Sequence, residues 1–256
     1  MWNNHHISFL NNLKDHVNCN KNKILPDLWF GESERPIVAQ IFGSNPKNIE
    51  AAARLVKKLG FDGIDINMGC PDRSVEKQGA GAAMIRNPRL AEKIILSAMK
   101  GAGGLPVSVK TRIGYDEESL KKWLPYILKT KPVALTVHFR TRKEMSNAPA
   151  KWELAKKVLA LRDKYSPKTL VIGNGDVASV ADARGKARAF GVDGVMLGRA
   201  VFCNPWLFAD LAGAKRASQI EHPAKGVGRQ PIKITPKKKL KILVEHAKLF
   251  EKLFKK

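Results

Sequence analysis

The sequence is poor in cysteine, in acidic residues and in long apolar runs, and each shortage excludes something. Its three cysteines, Cys19, Cys70 and Cys203, are odd in number and far apart. That rules out a fully paired disulfide framework and fits a reducing compartment, so a cytoplasmic protein is expected. No pair of cysteines has the spacing of a metal site, and no metal is expected. No apolar run approaches the roughly 20 residues that span a bilayer. The opening stretch MWNNHHISFLNNLKDH lacks a basic leader followed by an apolar segment, so neither a signal peptide nor a membrane anchor is expected. Acid is the largest deficit: 23 Asp and Glu stand against 46 Lys and Arg, a formal charge of +23. Such an excess fits a polyanionic partner, most often nucleic acid, or a lysine-rich solvated surface. Charge alone does not choose between RNA, DNA and an anionic surface.

What is present is a regular alternation from residue 36 onward. PIVAQIF is a short β-branched run ended by GSNP, and NIEAAARLVKKLG then has helical apolar spacing with a glycine stop. DGIDINM, PVSVKTRI, VALTVHF, TLVIGNG and DGVMLGRA repeat the strand pattern, each followed by a helical stretch, the last beginning near Pro205. Nearly apolar strands alternating with helices imply a parallel sheet buried on both faces. The expected fold is an α/β (β/α)8-barrel type with six β/α units, incomplete because residues 1–35 offer no good strand. A doubly wound sheet fits the pattern as well. The barrel domain is expected to cover residues 1–214. Residues 215–256 form a basic, Gly- and Pro-rich linker followed by one amphipathic helix from Thr235, with Leu240, Leu243, Ala247, Phe250 and Phe254 on its apolar stripe. That helix either packs back on the barrel or begins a further helical domain.

In a β/α barrel the functional groups lie at the C-terminal ends of the strands. Those ends carry, in order, Gln40, Asn67 with Cys70, Lys110 with Arg112, His138 with Arg140, Asn174-Gly175-Asp176, and Gly198-Arg199. A polar residue after an apolar run is usually a loop beginning, but every strand end here has one. GNGD and LGRA also place glycines where backbone N–H groups can approach an anion, on two consecutive final strands, which suggests a phosphate-bearing cofactor.

The motifs QIFGSNP, DINMGCP, GAGAAMI, PVSVKTRIGYD, VHFRTRKE, VIGNGD and GVMLGRAVFCNPWLF occur in an order and spacing that resembles the tRNA-dihydrouridine synthases, over roughly Pro36 to Phe208. The resemblance implies an FMN-containing barrel that reduces a uridine of tRNA with NADPH as reductant, acting as a monomer. It implies that the C-terminal helix begins that family's helical RNA-binding domain. Two departures stand out. Residues 1–35 contain nothing like the family's short Pro-Met segment against the flavin. Phe139 replaces a usually small residue, which would crowd the site.

Reduction of the C5=C6 bond of uracil needs a hydride at C6, which reduced flavin supplies from N5, and a proton at C5. An ordinary thiol, with a pKa of about 8.5, is mostly protonated at pH 7 and can act as an acid without tuning. The resemblance therefore makes Cys70 the proton donor, and leaves Cys19 and Cys203 structural. It puts Lys110 beside the flavin N1/O2 region, Gln40 at the flavin pyrimidine edge and His138 on the cofactor side. Asn174, Gly175, Asp176, Gly198 and Arg199 would hold the ribityl phosphate. Asn67 would meet the uracil edge, and Arg140 and Arg142 the tRNA backbone. For Lys110 the plain alternative is a buried ion pair with Asp65. Two other functions fit the residues: an FMN-barrel oxidoreductase on a small pyrimidine or enone, and a non-catalytic RNA-binding barrel.

Overall fold

Residue alternation along the strands decides how the chain is layered. In the computed structural model of the chain, residues 28–204, 206–208 and 235–254 are described. Cys19, most of the basic linker and Pro205 lie outside them. The expected strands form as β1 (Val38–Ile41), β2 (Gly63–Met68), β3 (Val107–Arg112), β4 (Ala134–His138), β5 (Leu170–Asn174) and β6 (Gly194–Met196). They build one sheet in the order β1-β2-β3-β4-β5-β6, every pair parallel. A doubly wound sheet reverses its strand order at a switch point. This sheet does not, so the barrel-type winding holds. Among the described residues β1 and β6 are its edges.

Among the described residues the helices that pack on this sheet cover one face of it. Ile64, Ile66, Met68, Val107, Val109, Leu135, Val137, Phe139 and Val171 point to that face and are buried. The opposite face carries Asp65, Asn67, Ser108, Lys110, Arg112, Thr136 and His138 at alternating positions. The strands are less uniformly apolar than the sequence suggests: the inner face is polar, because every second residue of β2, β3 and β4 can hydrogen-bond, and Asp65, Arg112 and Thr136 on it are buried. Phe139 belongs to the helix side, where its ring lies 4.9 Å from that of Trp152. It does not crowd the site, since a strand sends neighbouring side chains to opposite faces.

The helices show clear start and stop signals. Helix α1 (Pro46–Lys58) begins with Pro46 behind Asn45, whose side chain accepts from the N–H groups of Lys47 and Asn48. Helix α2 (Arg73–Lys77) is a short turn capped by Asp72. Helix α3 (Pro88–Ala102) is capped by Asn87 and stops at Gly103 in the left-handed region. Helices α4 (Leu120–Leu128), α5 (Ala155–Tyr165) and α6 (Val180–Phe190) complete the outer layer. A short helix, α7 (Ala200–Cys203), opens at the GRA stretch, and the helix expected from about Pro205 lies largely outside the described residues. The C-cap of α7, Asn204, leaves the helical region at φ −145° and ψ 87°.

The chain divides into two compact units, Ser33–Lys215 and a second comprising Met1–Glu32 with Arg216–Lys256. In the second, α8 (Pro236–Phe254) follows Thr235, whose hydroxyl accepts from the Lys238 N–H at 3.3 Å. Leu240, Leu243 and Val244 on this helix are exposed. No helix among the described residues is long and apolar enough to cross a membrane.

Helices α1 and α3 pack against each other at Gly101, where an added Cβ would lie 2.2 Å from the Glu50 carbonyl oxygen and 2.9 Å from Ala53 Cβ. Glycine to alanine inside a helix ordinarily stabilises by up to about 1 kcal/mol. Here the sign should reverse: Gly101→Ala should destabilise by about 1–3 kcal/mol through overpacking, read as a lower denaturation midpoint in urea.

Candidate active site

The strand register turns the inner face into rows. Gln40 stands level with Asp65, and Asp65 with Ser108. One step toward the C-terminal ends, Asn67 stands level with Lys110 and Lys110 with Thr136. In the next row Arg112 is level with His138, His138 with Asn174, and Asn174 with Met196. Partners in a parallel register share a face. Sequence segments more than a hundred residues apart are thus brought to one rim.

The Cys70 loop is tied down from several sides. Asn67 Oδ1 accepts from the N–H groups of both Gly69 and Cys70 at 3.0 Å, closing a turn around the cysteine. Arg112 Nε donates to the Gly69 carbonyl at 2.7 Å, and the Ala82 N–H donates to the Cys70 carbonyl at 2.9 Å. Gly81 makes that last contact possible: at φ +61° it also leaves only 2.7 Å between a would-be Cβ and the Cys70 oxygen. Cys70 itself is half-buried. The loop is latched from outside by Glu76 on α2, which accepts two bonds from Arg142 Nε, at 2.9 and 3.0 Å. Tyr115 sits between two arginines there, with Arg86 3.5 Å and Arg142 5.2 Å from its ring centre. Burial works against the Glu76 anion, but bonds from Arg142 and Tyr115 hold its carboxyl below the usual range.

The rim is cationic. A cavity of about 790 Å³ opens at the strand ends, lined by Lys110, His138, Arg140, Asn174 to Asp176, Gly198 and Arg199 among others. Burial, then the nearby Arg112, pushes the Lys110 ammonium below its normal pKa. Burial and the surrounding Arg112, Lys110 and Arg140 push His138 from 6.5 to about 3, so its imidazole is neutral. Arg140 Nη1 lies 3.2 Å from His138 Nε2. A guanidinium only donates, so Nε2 is the acceptor and the ring proton sits on Nδ1. Arg140 also binds Asp176 through Nη2, at 2.6 and 2.5 Å. Trp152 Nε1 donates to the Gly175 carbonyl at 2.9 Å and fixes the floor of the GNGD turn.

The site residues read from the sequence fall into two groups. Gln40, Asn67, Cys70, Lys110, His138, Asn174, Gly175, Gly198 and Arg199 lie along the inner face or its rim. Three need different roles. The Asp176 side chain has no donor to offer a phosphate: its carboxylate is filled by Arg140 and by the Ala150 N–H at 2.9 Å, with Arg199 at 3.6 Å. Arg140 is 3% exposed and cannot reach a macromolecular backbone. Arg142 is already held by Glu76. The Lys110–Asp65 ion pair also fails to form, because Asp65 accepts from Gln40 Nε2 at 2.7 Å and Ser108 Oγ at 2.6 Å. Sequence reasoning assigns Asp65 nothing beyond that pair, and misses the tethering parts of Ser108, Arg112 and Glu76. A signal exists for the first: a carboxylate inside an apolar strand segment is expensive unless it is hydrogen-bonded.

The residues fit a flavin mononucleotide. Gly175, at φ +124°, leaves an added Cβ only 2.7 Å from Ala150 Cβ, so backbone alone lines that part of the cavity, while nothing lies within 4 Å of a Cβ at Gly198. Lys110 has no hydrogen bond or ion pair among the described residues and is free to meet an anionic ring edge.

A sequentially ordered parallel sheet with a cationic cleft at its C-terminal strand ends defines a protein of the β/α-barrel class. The solved structures agree on the fold: an Eimeria tenella DHODH in complex with ferulenol superposes with a TM-score of 0.51 at 15% identity, covering 77% of this chain and 63% of that one. A 2-naphthoyl-CoA reductase does so with a TM-score of 0.51 at 13% identity, covering 66% and 29%. Sequence narrows the class. Residues 13–255 match the model of the family described as Dihydrouridine synthase (Dus), and the chain belongs to that family. It is 44% identical over 189 residues to the probable tRNA-dihydrouridine synthase 2 of Bacillus subtilis strain 168, covering 73% of this chain and 58% of that protein. It is 40% identical over 226 residues to a probable tRNA-dihydrouridine synthase of Staphylococcus aureus strain COL, covering 88% and 62%. The chain thus spans about three-fifths of the length of these relatives.

The neutral His138 sets a pH dependence. Its folded pKa is below its unfolded one, so below about pH 6.5 the unfolded chain takes up a proton that the native ring refuses. Stability from this site is complete above pH 6.5 and lost progressively toward pH 3, by up to about 1.4 kcal/mol per pH unit. His138→Gln, which keeps an acceptor for Arg140, should make the decline in urea midpoint between pH 7 and pH 5 measurably shallower than in the parent.

Proposed function

We propose that the chain reduces uridine in tRNA to 5,6-dihydrouridine, as the names of its relatives suggest, with FMN as cofactor and NADPH as reductant. The observation that carries this reading is the position of Cys70. It stands half-buried on a turn tied to Asn67, at the end of a strand whose neighbour brings Lys110 to the same rim.

FMN, when bound, supplies the hydride for C6 of the base. The rest falls to this chain's own groups. Cys70 holds the proton delivered to C5, and its loop keeps the thiol at the cleft mouth. The Lys110 ammonium, desolvated and unpaired, stabilises negative charge at the pyrimidine edge of the cofactor. His138 is neutral and donates through Nδ1–H. Gln40 meets the same edge through an amide N–H. Asn174, Gly175, Gly198 and Arg199 receive the phosphate end, while Asp176 orients Arg140 and Arg199 around it. Asn67 faces the uracil edge. The RNA backbone is met by basic residues of the 224–241 segment, including Lys237 and Lys238 on α8, rather than by Arg140 or Arg142. The protein acts in the cytoplasm as a monomer.

Cys70→Ala should leave flavin reduction by NADPH intact while slowing dihydrouridine formation by about 10²–10⁴-fold, the usual effect of removing a general acid. Cys203→Ala should be close to silent. A Cys70→Ala enzyme that modified tRNA at the parental rate would remove the cysteine from the mechanism. A parent that purified without flavin absorbance and bound no FMN would favour the non-catalytic barrel.

Binding of tRNA should weaken steeply with salt, since the contacts are Lys and Arg on phosphate. A protein neutralising several phosphates loses on the order of 10³-fold or more in affinity between roughly 50 and 200 mM salt. A filter-binding titration that stayed flat over that range would contradict the charge argument.

A further inference from the structure

Five hydrogen bonds link β3 to the cysteine loop, and every one of them points toward Asp65. Ser108 Oγ donates to Asp65 Oδ1 at 2.6 Å, and Gln40 Nε2 donates to Asp65 Oδ2 at 2.7 Å. Asn67 Nδ2 donates to Gln40 Oε1 at 3.0 Å. Asn67 Oδ1 then accepts from the Gly69 and Cys70 N–H groups, both at 3.0 Å. A primary amide can face either way, but these two cannot. One end of the chain is a carboxylate, which only accepts. The other end is a pair of backbone N–H groups, which only donate. Between them both amides are locked, and each keeps one N–H uncommitted.

We propose that Asp65 is a positioning residue that sets the orientation of the Gln40 and Asn67 amides, so that both present N–H donors to a ring bearing carbonyl oxygens and the Cys70 turn is held in register. Asp65 touches neither substrate nor cofactor in this scheme and acts through Gln40. The polarity has a chemical consequence. An N–H donor matches the carbonyl oxygens of a uracil or of a flavin pyrimidine edge, and it opposes the exocyclic amino group of a cytosine. A reversed Asn67 would take its acceptor from the Gly69 and Cys70 amides and leave two donors without a partner. The positioning role stands on the hydrogen bonds alone. The identity of the ring rests on the function proposed above.

The lock can be broken and then rebuilt with its groups exchanged. Gln40→Glu sets a second carboxylate against Asp65. Asp65→Asn leaves the Gln40 amide free to turn. In the double variant, Gln40→Glu with Asp65→Asn, the amide introduced at position 65 donates to the carboxylate introduced at position 40. That carboxylate also accepts from Asn67, and the orientation of Asn67 is restored. The protein is treated with iodoacetamide and alkylation is followed at the Cys70 peptide by mass spectrometry. Each single variant should raise the Cys70 rate by roughly fivefold or more, and the double variant should return it to within about twofold of the parent. FMN affinity, read by quenching of flavin fluorescence, should fall in all three variants. Two of them have no N–H at position 40 to give, and in Asp65→Asn the Gln40 N–H is no longer aimed. A general packing defect would accumulate in the double variant instead of cancelling. A double variant no slower than the singles, or singles indistinguishable from the parent, would overturn the proposal. If a single variant fails to fold, recovery of a cooperative melt in the double is the same rescue, and its absence the same refutation. A parent that binds no FMN while its Cys70 reactivity follows this pattern would sink the flavin reading and leave the positioning role intact.

Discussion

The site depends on parallel, in-register pairing of strands with a polar residue at every second position. Pairing Asp65 with Ser108, Lys110 with Thr136 and His138 with Asn174 leaves no freedom over which side chains share the inner face. A slip of one residue in any strand would send Lys110 or His138 among the helices and bring Val109 or Val137 to the cleft. The apolar outer face prevents that slip. Burial of Ile64, Ile66, Val109, Leu135 and Val137 under the helices therefore fixes the position of the chemistry as firmly as any contact inside the cleft.

Polar groups on such a face must be satisfied, and the solution differs from one side of the sheet to the other. On the β1–β3 side it is a chain of neutral amides anchored on one buried carboxylate. On the β4–β6 side it is an ion pair, Arg140 with Asp176, leaning on a neutral histidine. Asp176 holds a left-handed backbone at φ 49° to reach its partner. Such strain is sustained where surrounding contacts over-determine it, and the bonds from Arg140 and Ala150 do so here.

Much of this is legible in the sequence. Alternating runs locate all six strands, and the polar residue closing each run points to the rim. Propensity and punctuation suffice for those readings because they are local. Pairing is not legible. Arg140 and Arg142 look alike in VHFRTR, yet one is sealed beneath Asp176 and the other is clamped to Glu76 on a distant stretch of chain. Phe139 looks like an obstruction because its facing depends on strand parity, which a short motif does not display. The part played by Asp65 is hidden because its partners, Gln40 and Ser108, belong to two other strands.

The charge left over in the cleft has a consequence of its own. Lys110, Arg112, Arg140 and Arg199 gather around a rim where Asp65, Glu144 and Asp176 supply the nearby carboxylates, and burial disfavours the charged forms of Lys110, Arg112 and His138. The protein is thus self-repelling at the cleft. An anion that settles there relieves the repulsion in the native state alone, and the unfolded chain gains nothing comparable. By mass action the fold is then steadied in proportion to the logarithm of the ligand concentration. Occupancy of the cleft by such an anion would then set how long the molecule survives.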